Sequence, residues 1–248
     1  MYLIHIIYFI TGLIIGSFVN VIIYRIPNNL SIVKPRSFCI FCKKKISLYN
    51  NIPLVSYIIQ LGKCLNCKKN ISISYPLIEF SIGVIWLISY ILFNDFNYAI
   101  NYAVVSSLLI AIAVIDYKYF IIPIEISLFL LFFISIMLFL NNSMLNNLTG
   151  LLVGTGYLSI ISLITWGITK RQGLGFGDLQ LILVLGYWVG DLKILFIIFT
   201  SALFAIIFWL IMSYYKGFDN KRALPFGSFL SISSIILYPI NFNDLYLI

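Results

Sequence analysis

IIPIEISLFLLFFISIMLFL, residues Ile121–Leu140, decides the fold class. After Glu125 the stretch runs fifteen residues without a charge, and its apolar side chains occupy every side of a helix rather than one stripe. A run of about 20 apolar residues matches the hydrocarbon thickness that a membrane-crossing helix must cover. Barrel strands would need alternating segments of about 10 residues, which this pattern excludes. Seven further runs have the same character: Tyr2–Tyr24, Tyr75–Phe93, Tyr98–Ile115, Leu145–Ile168, Leu179–Gly190, Ile194–Tyr214 and Ala223–Ile240. The Leu179–Gly190 run is short and is expected to extend into the glycine-rich stretch before it. The chain is 62% hydrophobic and 10% charged, with a mean hydropathy of +1.05, far from an ordinary soluble domain. The sequence therefore predicts an all-α, polytopic membrane protein of about eight transmembrane helices. Its expected parts are a first helix over 1–24, a basic loop over 25–74 and a seven-helix membrane domain over 75–248.

Basic residues set the expected orientation. Between Arg25 and Ser74 lie nine Lys or Arg and no acid. With that loop in the cytoplasm, eight spans also put Lys118, Lys170, Arg171, Lys216, Lys221 and Arg222 inside. Only Lys193 then falls outside, so 15 of 16 basic residues obey the positive-inside rule. Both termini come out extracytoplasmic. The net charge of +8 reads as a topology signal with an affinity for anionic lipid, not as a nucleic-acid surface. The first span lacks a basic leader and an A-x-A-like cleavage site, so it reads as a retained helix. Gly12-x3-Gly16 and Gly150-x3-Gly154 suit close helix packing.

The loop holds all four cysteines, Cys39, Cys42, Cys64 and Cys67, as two C-x2-C pairs separated by 21 residues. Four thiolates so arranged suit one tetrahedral zinc ion, and a reducing compartment argues against disulfides. With four protein ligands such a site is closed, hence structural. Lys43–Lys45, Lys68 and Lys69 would offset its negative charge.

The chain has a single histidine, His5, near the outer end of the first span. Ser-His, Cys-His and HExxH chemistry on the cytoplasmic side is thereby closed off. Of the eight acids, Asp95, Asp191, Asp219 and Asp244 fall in expected loops. Glu79, Asp116, Glu125 and Asp178 sit in or at the cytoplasmic ends of spans, where a charge needs a partner or a purpose. Asp178 follows glycines in GLGFGDLQL, Gly173–Leu181. Two carboxylates that approach each other share a proton, which is aspartic-protease chemistry. Gly175 and Gly177 would permit non-helical backbone and close approach of a peptide. Two plainer readings stay open: Asp178 caps a helix, and Asp116 pairs with Lys118.

Six blocks in order resemble the type 4 prepilin peptidases. They are GSFVNVIIYRIP (Gly16–Pro27), the cysteine pairs with IPLVSYIIQLGKC (Ile52–Cys64), ISISYPLIEF (Ile71–Phe80), IDYKYFIIP (Ile115–Pro123), GFGDLQL (Gly175–Leu181) and PFGSFL (Pro225–Leu230). The resemblance covers nearly the whole chain. It implies a membrane aspartic peptidase that removes basic leaders from prepilins or pseudopilins after a glycine, at the cytoplasmic face. The same family then N-methylates the new N-terminus using S-adenosylmethionine. Carried over, Asp116 and Asp178 are the catalytic pair, and Cys39, Cys42, Cys64 and Cys67 hold zinc in the methyltransferase-associated region. Asn20, Arg25 and Glu79 are candidates for that region. No glycine-rich nucleotide fingerprint marks a cofactor pocket. Three positions depart from the family pattern: Ile124 where an acid is frequent, Gln180 where lysine is frequent, and Ser228 where a second proline is frequent. Because positive loops repel a basic leader, recognition is expected through anionic lipid and local acids, with Asp219 and Glu125 as contacts. Competing classes are a cation or proton carrier, which leaves the cysteine loop unexplained, and a zinc-loop scaffold, which leaves GFGD without purpose. A third alternative keeps the peptidase and drops the methyltransferase.

Overall fold

A computed structural model describes residues 2–141, 143–170, 174–219 and 222–240; Arg171, Lys221 and Asp244 lie outside them. Among the described residues every regular element is helical: α1 Tyr2–Arg25, α2 Val55–Ile59, α3 Ser74–Leu92, α4 Phe96–Tyr119, α5 Ile124–Leu140, α6 Met144–Thr169, α7 Phe176–Val189, α8 Asp191–Lys216 and α9 Phe226–Leu237. Helices α1, α3, α4, α6 and α8 are long and apolar enough to cross a membrane. Helices α5, α7 and α9 are apolar but shorter, at 17, 14 and 12 residues. As expected from its short apolar run, α7 extends upstream of Leu179, starting at Phe176 inside the glycine-rich stretch.

The chain forms two compact units, Met1–Ala111 and Ile112–Ile248. In the first, α1 lies against α3 at glycine-level distance. A Cβ on Gly12 would stand 2.8 Å from the Gly83 Cα, and one on Gly16 2.7 Å from the Glu79 Cα. Lipid tails are as apolar as leucine, so close backbone packing rather than hydrophobic burial associates such helices. Helix α4 joins them through its half within this unit: the Trp86 indole donates to the Ser107 hydroxyl at 3.1 Å. His5 packs edge-on against Tyr90, with ring centroids 5.0 Å apart.

In the second unit α7 is the central helix, packed against α5, α6, α8 and α9. That position explains a helix apolar on all sides: Leu181, Ile182, Val184 and Leu185 are all buried. Gly150 of α6 meets the backbone of Gly186 and Gly190. Asn147 reinforces that contact by donating its amide to the Tyr187 and Trp188 carbonyls at 3.0 and 3.2 Å. At the far end of α7, Trp188 stacks on Tyr238, and the Lys193 ammonium donates to the Tyr238 carbonyl at 2.8 Å.

Candidate active site and cysteine loop

Asp116 occupies the last turn of α4 and is 5% exposed. A carboxylate buried this far needs donors, and α9 supplies them. The Ser228 backbone N–H donates to Asp116 Oδ2 at 2.7 Å, and the Ser228 hydroxyl lies 3.0 Å from the same oxygen. The Ser228 N–H lies in the first turn of α9, which begins at Phe226; it has only a longer 3.2 Å bond to the Pro225 carbonyl and so is free to make its short bond to Asp116. Pro225 sits at the N-cap and Gly227 brings the turn close; a Cβ on Gly227 would stand 3.2 Å from Asp116 Oδ2. Asp116 thus bonds to Ser228, and the alternative pairing with Lys118 is replaced. Sequence reasoning noticed Ser228 only as a missing proline. The signal was present in its chemistry, a hydroxyl directly after PFG.

The Ser228 hydroxyl has a single proton and two acceptors. It lies 2.8 Å from the Ala113 carbonyl as well as 3.0 Å from Asp116. A charged acceptor forms the stronger bond, so the proton turns to Asp116 when that acid is ionised and to Ala113 when it is neutral.

Asp178 is the third residue of α7, and its carboxylate accepts the Gly175 N–H at 3.1 Å. This is half of a capping box; glycine has no side chain to make the other half. Asp178 is thus not the N-cap of α7, which is Gly175, but closes the first turn from its third position through one carboxylate oxygen. Gly175 has φ −71° and ψ 151°, extended backbone that any residue can adopt. Gly177 lies inside α7, contrary to the expected non-helical backbone. It is small because a Cβ there would stand 3.1 Å from the Ile122 Cβ. Ile122 also reaches Gly227, at 2.7 Å from a Cβ there. The glycines beside the two acids therefore close on one isoleucine. Glu125 lies in the first turn of α5, and Asp219 is exposed beyond α8.

In the loop of the first unit the two cysteine pairs fold alike. Antiparallel bridges Phe38–Lys45 and Lys63–Asn70 flank them. In each, the first cysteine's N–H bonds to the carbonyl five residues on at 3.0 Å, and the residue four on bonds back at 2.9 Å. Lys43 and Lys68 both take φ +58° to close these turns. The four Sγ atoms lie within 4.8 Å of one another, with Cys39 and Cys67 at 3.8 Å. A tetrahedral ion with Zn–S near 2.3 Å sets its ligands about 3.8 Å apart, so this donor set fits a metal ion. Backbone N–H groups of Cys67 and Asn66 pull the Cys64 thiol down. All four cysteines are free of disulfides.

Asn20, Arg25 and Glu79 line one cavity of about 640 Å³, together with Tyr24, Phe38, Tyr57 and Tyr75. Asn20 donates to the Tyr75 carbonyl at 3.1 Å and ties α1 to α3. Arg25 is buried and donates to the carbonyls of Ser31 and Pro35 at 2.8 and 2.6 Å. Its guanidinium is therefore largely spent on folding the start of the loop. Glu79 Oε2 accepts the Leu54 N–H at 2.8 Å, so it carries an ionisable group to the cavity wall. Cavities of about 300–1,000 Å³ with aromatic walls and a few polar groups suit small-molecule ligands.

A family model described as the Bacterial Peptidase A24 N-terminal domain matches residues 10–93, and one described as the Type IV leader peptidase family matches residues 103–210. A prepilin leader peptidase/N-methyltransferase of Bacillus subtilis (strain 168) is 32% identical over 93% of this chain and 92% of its own. Proteins of the same name from Neisseria gonorrhoeae and Pectobacterium carotovorum subsp. carotovorum are 28% and 29% identical, over 94% and 91% of this chain and 89% of each relative. No solved structure matches the chain.

Proposed function

Because the chain belongs to the type IV leader peptidase family, we propose that it removes the basic leader of type IV prepilins or pseudopilins as an aspartic peptidase and then N-methylates the new N-terminus. The observation that carries the peptidase reading is the buried Asp116 carboxylate on its Ser228 donors, with the glycines beside Asp116 and Asp178 both packed on Ile122. One acid accepts a proton from water as the water oxygen bonds to the scissile carbonyl carbon. The other gives its proton to the departing amine nitrogen as the C–N bond breaks, so the pair ends with its proton exchanged and none lost. Gly175 leaves room beside Asp178 for the substrate backbone, while the space at Gly177 is taken by Ile122. The cut follows a glycine at the cytoplasmic face of the inner membrane, on the side of the basic loop. Glu125 and Asp219 face the basic leader, helped by anionic lipid.

The cavity lined by Asn20, Arg25 and Glu79 is the proposed place for the methyl donor. S-adenosylmethionine, when bound, supplies an electrophilic methyl group to a neutral amine. Glu79 would hold its positive charge, and the Tyr24, Phe38 and Tyr57 rings would cover its apolar surface. Cys39, Cys42, Cys64 and Cys67 would hold a structural zinc that keeps the two hairpins, and with them the cavity wall, in place.

Incubating the reconstituted chain with a prepilin tests the peptidase reading. Leader removal is expected from the wild type, and a loss of roughly 10²–10⁴-fold or more from Asp116→Asn and from Asp178→Asn. The amide oxygen that Asp178→Asn introduces can still accept the Gly175 N–H, so the cap survives that substitution. Cleavage persisting in both variants would overturn the proposal.

A further inference from the structure

The loop between α1 and α3 carries an apolar surface that neither reaction uses. Helix α2 is inside out for a helix in water: its buried side chain is Ser56, while Val55, Ile58 and Ile59 are exposed. Ser56 is satisfied within the loop. Its hydroxyl donates to the Tyr49 carbonyl at 3.1 Å and accepts the Ile52 N–H at 2.9 Å. Tyr49 and Leu61 in the segments flanking α2 are exposed as well; Tyr49, Ile59 and Leu61 are 85%, 74% and 84% exposed. Contiguous apolar surface of this kind marks a contact with a partner or a membrane.

Depth and charge identify the occupant. The Leu54 N–H at the head of α2 bonds to Glu79, the sixth residue of α3. At 1.5 Å per residue that contact lies about 7–8 Å along α3. Helix α2 therefore starts beside the second turn of a membrane-length helix, not beyond its end, at the level where hydrocarbon gives way to headgroups. The loop around it has nine basic residues and no acid, the charge pattern that anionic headgroups attract.

We propose that α2 and its flanks are an interfacial foot, seated in the headgroup–acyl boundary of the leaflet on the loop's side. Val55, Ile58, Ile59 and Leu61 enter the acyl chains, Tyr49 sits at headgroup level, and Lys63 beside Leu61 meets anionic phosphates. The inner side of α2 lines the 640 Å³ cavity through Ser56 and Tyr57. The foot thus fixes that cavity at the bilayer surface, where the end of a membrane-embedded helix would lie.

Photo-crosslinking of the full chain in phosphatidylethanolamine–phosphatidylglycerol vesicles tests this. p-Benzoylphenylalanine replaces Ile59 or Leu61, both exposed positions that tolerate it. Phe132, a strongly exposed residue of α5, is the lipid-facing reference, and Lys44 on the first cysteine hairpin is the water-facing one. Lipid adducts at Ile59 and Leu61 are expected within about twofold of the Phe132 yield, with little at Lys44. Yields no higher than at Lys44 would overturn the foot. So would adducts to another part of the chain, to a second copy or to an added prepilin. The result is independent of cleavage, so it stands or falls apart from the peptidase reading.

Discussion

Asp178 meets two needs with one side chain. Its carboxylate returns to the Gly175 N–H and so closes the start of α7, and its proposed chemistry uses the remaining oxygen. A cap and a catalytic acid are compatible because a carboxylate offers about four lone-pair sites and the cap takes one. Ser228 makes the corresponding case at Asp116. Ser228→Ala removes the hydroxyl and keeps the N–H that bonds at 2.7 Å. A hydrogen bond to a charged group is worth about 1.5–3 kcal/mol, so kcat for leader removal is expected to fall about tenfold or more with KM unchanged. Steady-state kinetics on a prepilin checks the split; a rise in KM with constant kcat would assign Ser228 to substrate binding. These residues also show where sequence reading stopped. Asp116 and Asp178 stood out as acids in an apolar chain, but Ser228 did not, because a serine in a membrane helix is ordinary until its partner across the fold is known.

At the scale of elements, two devices hold the structure where apolar burial offers little. The first is the paired cysteine hairpins, whose geometry repeats down to the left-handed lysine. Cys39→Ser leaves three thiolates, and the expected outcome is loss of bound zinc by metal analysis with weakened methyl transfer. Unchanged metal content would refute the zinc assignment. The second is glycine contact between helices. Gly150 touches the backbone of Gly186 and Gly190, so Gly150→Leu forces α6 off α7 at an overpacking cost of about 1–3 kcal/mol or more. A lower midpoint of thermal unfolding in detergent is the check. Helix α7 was the least legible element in the sequence. Its short apolar run reflects a central position: helices on several sides, not lipid, surround it, so its length is not tied to the bilayer.

Over the whole molecule, the candidate groups fall in different compact units. Asn20, Arg25, Glu79 and the four cysteines belong to Met1–Ala111, and Asp116, Asp178 and Ser228 to Ile112–Ile248. The two proposed activities should therefore separate. Glu79→Gln keeps an acceptor for the Leu54 N–H and removes the charge. It is expected to cleave a prepilin normally and to methylate poorly. Asp116→Asn is expected to do the reverse on a peptide that already carries the mature N-terminus. Mass spectrometry of the products distinguishes cleavage from methylation, and joint loss in both variants would argue against separate sites. The helical class, the four-cysteine set and the candidacy of Asp116 and Asp178 were legible in the sequence alone, because hydropathy, ligand spacing and rare charges are properties of the chain itself. The shared Ser228 donors, the cavity that gathers Asn20, Arg25 and Glu79, and the outward apolar side of α2 were decided only by tertiary structure. Each depends on which residues distant in the chain come within hydrogen-bond or packing distance, and no local pattern encodes that.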